Sequence, residues 1–351
     1  MKKKIVIFGA GAVGGYTGGQ MARAGEDILL IDPWPEHIDA IKRTGLHLKT
    51  TDEEHTVKVP AMHLHEVQSL AKNPVDIVFI STKSYDTEWA AAMMKQYLKP
   101  DGFIVSLQNS INEERIAAIV GWGKTVGCIA SGISVELYKP GHIKRTLMPA
   151  AKGKLVFRVG EVHGRITGRV KRLAEMLSAV DGAKATNNLW GERWTKLVVN
   201  SMNNAVSAIT GLNSKLIVDQ EGPRMLSIKL GAEAVQVGVA LGFDLEVIRG
   251  MTVEMLLAAG RGEPAALAEI HAKLLETTKH RTEEGRPSTA QDIRKGRRTE
   301  TDYINGLVAQ KGKEVGLATP ANEAITRLIR RIESGELKPS PEHADRILGS
   351  R

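Results

Sequence analysis

Through the first half of the chain, short apolar runs alternate with segments whose apolar positions recur at helical spacing. Residues 4–8, 28–31, 75–81, 103–107, 126–133 and 154–159 read as buried strands, and residues 16–24, 37–44, 86–97, 112–120 and 164–179 as helices. Pro100-Asp101-Gly102 is expected to stop the third helix. Such alternation predicts a parallel sheet covered by helices on both faces, an α/β doubly wound fold. Sheets of this kind bind ligands beyond the carboxyl ends of their strands, which draws attention to Lys83 and Asn109, each just past a strand end. From residue 188 the pattern changes. Residues 188–209, 224–241, 246–260, 264–280, 300–316 and 321–334 all read as helix, with breaks at Gly222-Pro223, Gly262-Glu263-Pro264, Gly285-Arg286-Pro287 and Thr319-Pro320. The end of the chain, rich in proline, serine and charge, reads as a loose tail.

The loop after the first strand is Gly9-Ala10-Gly11-Ala12-Val13-Gly14, a G-x-G-x-x-G sequence between a strand and a helix. Glycines there let the backbone turn tightly and approach a pyrophosphate, and the helix start offers N–H groups to the anion. Asp32 ends the next strand, where an acidic residue accepts hydrogen bonds from the ribose diol of an adenosine. A glycine turn that binds nothing is the blander reading; loop, spacing and acidic residue together favour the nucleotide. The expected organisation is a dinucleotide-binding Rossmann-type α/β domain over residues 1–184, an all-α domain over 185–336 and a tail over 337–351.

At 351 residues, 42% apolar and 25% charged, the chain has an ordinary globular composition and length for two domains. Its net charge of +8 raises the question of nucleic acid. The basic residues are spread out, however, and the densest cluster, Arg294-Lys295-Gly296-Arg297-Arg298, is followed by Glu300 and Asp302. Aromatic residues, at 4%, offer few platforms for stacked bases, so no nucleic-acid partner is expected. Cys128 is the only cysteine, which excludes an intrachain disulfide and fits the reducing cytoplasm. The histidines lack metal-ligand spacing beyond His63 and His65; they read as surface residues, and no metal is expected. Residues 5–22 carry no charge, but their glycines, with Tyr16, Thr17 and Gln20, suit a nucleotide loop better than a signal peptide or membrane span.

Lys196, Asn200 and Asn204 are spaced i, i+4, i+8, which places them in one polar stripe on a helix. Trp194, Leu197, Val198 and Val199 indicate that much of that helix is buried. Buried amides and an ammonium need partners, and an oxygen-rich substrate supplies them. A solvated face with a snorkelling lysine satisfies the spacing equally. Residues 286–306 form a further polar segment holding Ser288, Gln291, Asp292 and Glu300. Alone, it reads as a solvated loop and helix start, with Thr299 capping the helix and Asp302 returning the contact.

Taken in order, these segments resemble the ketopantoate reductases (2-dehydropantoate 2-reductases) from about residue 3 to about residue 336, with additional length between about 241 and 285. The resemblance rests on the glycine loop, on residues 82–87 (Thr-Lys-Ser-Tyr-Asp-Thr), on residues 107–114 (Leu-Gln-Asn-Ser-Ile-Asn-Glu-Glu), on residues 194–211, and on Ser288-x-x-Gln291-Asp292 through Gly306. It implies a Rossmann-type domain followed by a helical domain like that of 6-phosphogluconate dehydrogenase. It also implies NAD(P)H-dependent reduction of a branched 2-keto acid, most directly 2-dehydropantoate to (R)-pantoate. By the same resemblance Lys196 is the general acid. Asn200, Asn204 and Ser288 hold the substrate's carboxylate and hydroxyls, and Glu300 touches substrate and cofactor ribose. Asn109 lies between nicotinamide ribose and substrate, and Lys83 on the adenosine side. Protonation by Lys196 is sound chemistry, because hydride attack builds negative charge on the carbonyl oxygen.

Two residues depart from the family pattern. Many relatives carry an arginine at the end of the second strand for the 2′-phosphate of NADPH, whereas this chain has Asp32-Pro33. Asp32 repels a phosphate dianion, so NAD(H) is expected to be preferred over NADP(H). Ser110 stands where the family usually has glycine, which is expected to narrow the site or alter its turn. NAD-using relatives reduce other branched 2-keto acids, so a D-2-hydroxyacid dehydrogenase is the alternative. A non-catalytic dinucleotide-sensing regulator, prompted by the charge, leaves the Lys196 stripe and Glu300 without a purpose. A homodimer through the helical domain is expected from relatives, and no membrane partner.

Overall fold

The structure is a computed structural model and describes residues 2–146, 154–278 and 287–349. The chain divides into two compact units, Met1–Leu189 and Trp190–Arg351, a few residues beyond the expected change at 184/185. The Gly285-Arg286 part of one expected helix break lies outside the described residues.

In the first unit, strands β1 (Lys4–Phe8), β2 (Asp27–Asp32), β3 (Leu46–Lys49), β4 (Glu54–Val57), β5 (Ala61–His63), β6 (Val75–Ile80), β7 (Leu98–Ser106), β8 (Thr125–Ala130), β9 (Val135–Lys139), β10 (His142–Arg145), β11 (Phe157–Glu161) and β12 (Ala183–Thr186) form two sheets. The larger has the order β12-β11-β8-β7-β6-β1-β2-β5. Six of its strands, taken in chain order, run 3-2-1-4-5-6, the dinucleotide-binding arrangement. β11 runs antiparallel to β8, so the sheet is mixed rather than wholly parallel. The helices of this unit are α1 (Ala12–Arg23), α2 (Pro35–Thr44), α3 (Thr87–Lys95), α4 (Glu113–Val120) and α5 (Gly168–Ser178).

The smaller sheet, β4-β3-β10-β9, has no counterpart in the sequence reading. Its strands have four or five residues each, too short for a period-2 signal to emerge from noise. It explains why α1 is so rich in glycine, because α1 lies between the two sheets. A Cβ at Gly18 would stand 2.7 Å from Ile7 of the large sheet; one at Gly19 would stand 2.8 Å from Leu46 of the small sheet. Pro100-Asp101-Gly102 sits inside β7 rather than stopping a helix. There the register jumps, with Leu98 opposite Val75 but Phe103 opposite Ile77, and the extra residues bulge out.

The second unit is helical: α6 (Leu189–Thr210), α7 (Ser214–Asp219), α8 (Glu221–Ala240), α9 (Val253–Gly260), α10 (Pro264–Thr278), α11 (Ser288–Arg294), α12 (Asn305–Glu314), α13 (Pro320–Glu333) and α14 (Glu342–Gly349). α6 crosses α8 closely because α8 offers glycines at the crossing. A Cβ at Gly238 would lie 2.4 Å from the Trp194 ring, and one at Gly231 2.7 Å from Met202. Trp194 is fully buried, and its Nε1–H donates to Ala234 O at 2.7 Å.

Two expectations fail here. The helix expected over 246–260 begins only at Val253, after an irregular stretch closed by a small turn at Ile248 and Met251. The expected tail holds α14, whose Ala344 and Ile347 join the core with Leu226, Leu230 and Ile329. Ser340 N–H donates to Ile209 O at 2.8 Å, tying that segment to α6. An eight-residue helix that follows two prolines, Pro339 and Pro341, carries too few apolar positions to declare itself. Among the described residues no helix is long and apolar enough to cross a membrane, and no group of side chains has metal-binding geometry.

Candidate active site

The strand order of the large sheet reverses between β1 and β6, so their carboxyl ends open a crevice where Gly9 and Ser81 emerge. The three glycines of the loop have three separate physical reasons. Gly9 has φ +96, and a Cβ there would meet the Thr82 N at 2.8 Å. Its N–H donates to Ile31 O at 2.8 Å. Gly14 lets α1 approach the loop: a Cβ would stand 2.1 Å from Gly9 O. At Gly11, by contrast, a Cβ would meet nothing within 4 Å. Gly11 precedes α1, whose start has no side-chain cap and no acidic residue in its first turn. Gly11, Ala12 and Val13 are half-buried there, while Ala10 is fully buried. Ser81 Oγ is buried beneath this helix start without a hydrogen-bond partner among the described residues. An open approach to bare backbone N–H groups, with an unsatisfied hydroxyl beside it, fits a pyrophosphate.

Asp32 ends β2 and accepts from Trp34 N–H at 3.0 Å. Burial pushes its carboxyl above the ordinary 3.8, outweighing the backbone N–H groups of Trp34 and Ala10. Beside it lies a residue the sequence reading misplaced. His37 was expected on the surface, but it is 0% exposed. Its Nδ1 accepts from Gly141 N–H at 2.9 Å, so Nε2–H donates to Ala10 O at 2.8 Å. Burial lowers its pKa below 6.5, which keeps this neutral arrangement. His37 thus pins the glycine loop to the turn between β9 and β10. Nothing in local sequence signals this, because Gly141 is 104 positions away.

Lys83 and Asn109 follow β6 and β7, and a buried network joins their loops. Gln108 Nε2 donates to Thr82 O at 3.0 Å and to Thr87 Oγ1 at 2.9 Å. Asn112 Nδ2 donates to Asn109 O at 2.8 Å and to Ser84 Oγ at 3.2 Å. Ser110 sits at φ +67. It takes up the left-handed conformation that glycine adopts freely, so the turn keeps its shape at a strain of about 1 kcal/mol.

In the helical unit α6 is continuous, and Lys196, Asn200 and Asn204 share one half-buried face. Asn204 Nδ2 donates to Ser288 Oγ at 3.4 Å, which unites two candidate residues 84 positions apart. Ser288 opens α11, and Glu300, only 4% exposed, precedes a short turn over Thr301–Tyr303. The capping expected of Thr299 and Asp302 is only half present. Thr299 Oγ1 accepts from Thr301 N–H at 3.2 Å, but Asp302 turns to Arg330 at 2.6 Å. A network missed in sequence braces α6 from behind. Glu233 accepts at the start of α13 from Ala321 N–H and Asn322 N–H, both at 3.0 Å. Asn305 Nδ2 then donates to Asn322 Oδ1 at 2.9 Å and to Ser201 O at 3.3 Å.

The sequence profile described as "Ketopantoate reductase PanE/ApbA" matches residues 5–158, and that of the family's C-terminal domain matches residues 188–333. The chain is 30% identical over 338 residues to 2-dehydropantoate 2-reductase of Pyrococcus abyssi, covering 95% of this chain and 99% of the relative. It is 28% identical to the enzyme of the same name from Archaeoglobus fulgidus, with the same coverages. A PanE/ApbA family ketopantoate reductase from Ralstonia eutropha JMP134 superposes with a TM-score of 0.76 at 30% identity, over 95% of this chain and 99% of that one. D-mandelate dehydrogenase bound to NADH and anilino(oxo)acetate superposes at 0.78 with 25% identity, over 95% and 98%. Both halves of the chain are matched, in order and over nearly their whole length, and the chain belongs to the ketopantoate reductase family.

Proposed function

We propose that this protein reduces 2-dehydropantoate to (R)-pantoate with a nicotinamide cofactor. The observation that carries the reading is the α6 stripe of Lys196, Asn200 and Asn204, joined to Ser288, in a chain matched by the family through both halves. Backbone N–H groups at Gly11, Ala12 and Val13 would hold the pyrophosphate, with Gly9, Ala10 and Gly14 shaping the loop and Asp32 taking the adenosine ribose. When bound, the nicotinamide supplies a hydride to the keto carbon. Lys196 Nζ donates a proton to the carbonyl oxygen, which gains the electron pair of the broken C=O π bond. The same ammonium stabilises the charge developing on that oxygen. Asn200, Asn204 and Ser288 hold the carboxylate and hydroxyl of the substrate, and Glu300 and Asn109 orient substrate and ribose. Lys83 takes the adenosine side.

NADH is the preferred cofactor on this reading, because the half-buried Asp32 carboxylate accepts from a ribose diol and repels a 2′-phosphate. The same feature favours the second reading, an NAD-dependent D-2-hydroxyacid dehydrogenase, since the D-mandelate dehydrogenase relative binds NADH. A homodimer through the helical unit and a cytoplasmic location complete the proposal. The test is NADH and NADPH oxidation with 2-dehydropantoate, 2-ketoisovalerate and benzoylformate. The proposal expects the highest kcat/KM with 2-dehydropantoate and at least about tenfold in favour of NADH. A clear preference for benzoylformate selects the second reading, and a clear preference for NADPH overturns the role given to Asp32.

A further inference from the structure

Residues 243–250 run alongside α6 and are fastened to it at three places. The Phe243 ring stacks on Trp190 with centroids 6.3 Å apart and lies 5.5 Å from that of Trp194. Glu246 N–H donates to Thr195 Oγ1 at 2.9 Å. At the far end, the Asn203 amide oxygen, turned toward Arg249, accepts from its Nη1 and Nη2, both at 2.7 Å. Asn203 lies three positions from Asn200 and seven from Lys196. At roughly 100° per residue it falls about 20° from the direction of Lys196, on the side away from Asn200 and Asn204, so it borders the stripe at its Lys196 edge. Arg249 is thus brought beside the Lys196 edge of the stripe that the proposed function assigns to the substrate.

The backbone at Arg249 is costly. Ile248 and Met251 exchange N–H···O bonds of 2.8 and 2.9 Å around a two-residue turn. Arg249 and Gly250, its central residues, have φ +53 and +79. Turns with two positive φ values strongly favour Asn-Gly, Asp-Gly or Gly-Gly. An arginine at the first position is strained, and strain held by a well-packed frame is a mark of function rather than of folding. Here Ile248 and Met251 are buried and supply that frame. Nη1 and Nη2 both donate to the Asn203 oxygen, which fixes the plane of the guanidinium fork; a carboxylate would meet its other edge, Nε with Nη, the side through which arginine also makes two parallel hydrogen bonds.

We propose that Arg249 is a specificity-determining residue of this site: its guanidinium, aimed by Asn203, binds the carboxylate of the 2-keto acid and selects it against neutral 2-keto compounds. The inference rests on the reading of the α6 stripe as the substrate site. Arg249→Asn is the deciding variant, because asparagine suits the turn while removing the fork. The expected result is a melting temperature equal to or above that of the parent, with NADH affinity unchanged. KM for the 2-keto acid rises about 10- to 100-fold, while KM for its neutral methyl ester changes by less than about threefold. Arg249→Lys keeps the charge without the fork and falls between the two. Equal changes for acid and ester, or an unchanged KM for the acid, overturn the proposal. Oxamate binding to the NADH-loaded protein, measured by calorimetry, separates the two readings. If no 2-keto acid is turned over, the proposed function fails. Arg249 then stands only if oxamate binds the parent and Arg249→Asn weakens it at least about tenfold.

Discussion

In the sheet unit, the positions of the candidate nucleotide site are defined by what they lack. Gly9, Gly11 and Gly14 expose or bring together backbone, and the one acidic side chain, Asp32, is aimed by a backbone N–H. In the helical unit the candidate chemistry is carried by side chains, and those that meet come from distant parts of the chain, as Asn204 and Ser288 do. The difference reflects the two tasks. A pyrophosphate is the same in every dinucleotide and can be read by main chain, whereas a substrate must be told from its analogues by the placement of particular groups. Substitutions in the first unit should therefore sort by steric space, and those in the second by the chemistry removed.

The largest effect is expected at Gly14. A Cβ there collides with Gly9 O at 2.1 Å, so Gly14→Ala should cost the sheet unit more than about 4 kcal/mol, read as lost cooperative melting. A stable Gly14→Ala protein breaks the steric sorting. Gly238→Ala, with its Cβ 2.4 Å from Trp194, should cost the helical unit about 2–3 kcal/mol in urea unfolding. Next is Asp76 at the opposite end of the strands. Burial raises its carboxyl, but Lys99 at 2.8 Å, Lys4 N–H at 2.9 Å and Lys3 at 3.0 Å outweigh burial and bring it to about 2. Its folded pKa lies below the ordinary 3.8, so its stabilisation is present above pH 3.8 and lost as pH falls toward 2. Asp76→Asn should cost up to about 2 kcal/mol at neutral pH, the lysines being partly exposed, and little near pH 2. A cost that persists unchanged in acid contradicts the ion-pair account. The smallest effect is the sharpest. Gly11→Ala meets no atom within 4 Å, so melting should be unchanged while the Kd for NADH rises about tenfold, or about 1.4 kcal/mol. Gly11→Ala behaving like Gly14→Ala erases the distinction between a packing glycine and a binding glycine.

This contrast also decided what could be read from sequence. The glycine loop, Asp32 and the strand ends at Lys83 and Asn109 are each local signals, legible from the few residues on either side of each position. The α6 stripe is local too, since helical spacing alone aligns Lys196, Asn200 and Asn204. What escaped depends on long closures. His37 meets Gly141 across 104 positions, Glu233 caps α13 from 88 positions away, and Arg249 reaches Asn203 through a turn that arginine rarely occupies. None of these residues sits in a pattern, so only the folded chain brings them together. The small sheet escaped for the same reason, because β3 pairs with β10 nearly a hundred residues later. Ser110 shows the converse: the sequence flagged it as a departure, and its φ of +67 shows the glycine-like turn retained.

The most direct test of the central claim compares kcat and cofactor affinity in Lys196→Met, with 2-dehydropantoate and NADH. If α6 supplies the acid and the sheet unit the cofactor site, kcat falls roughly 10²- to 10⁴-fold while the Kd for NADH stays within about twofold. A Lys196→Met protein that folds, binds NADH and keeps kcat within about threefold of the parent contradicts it.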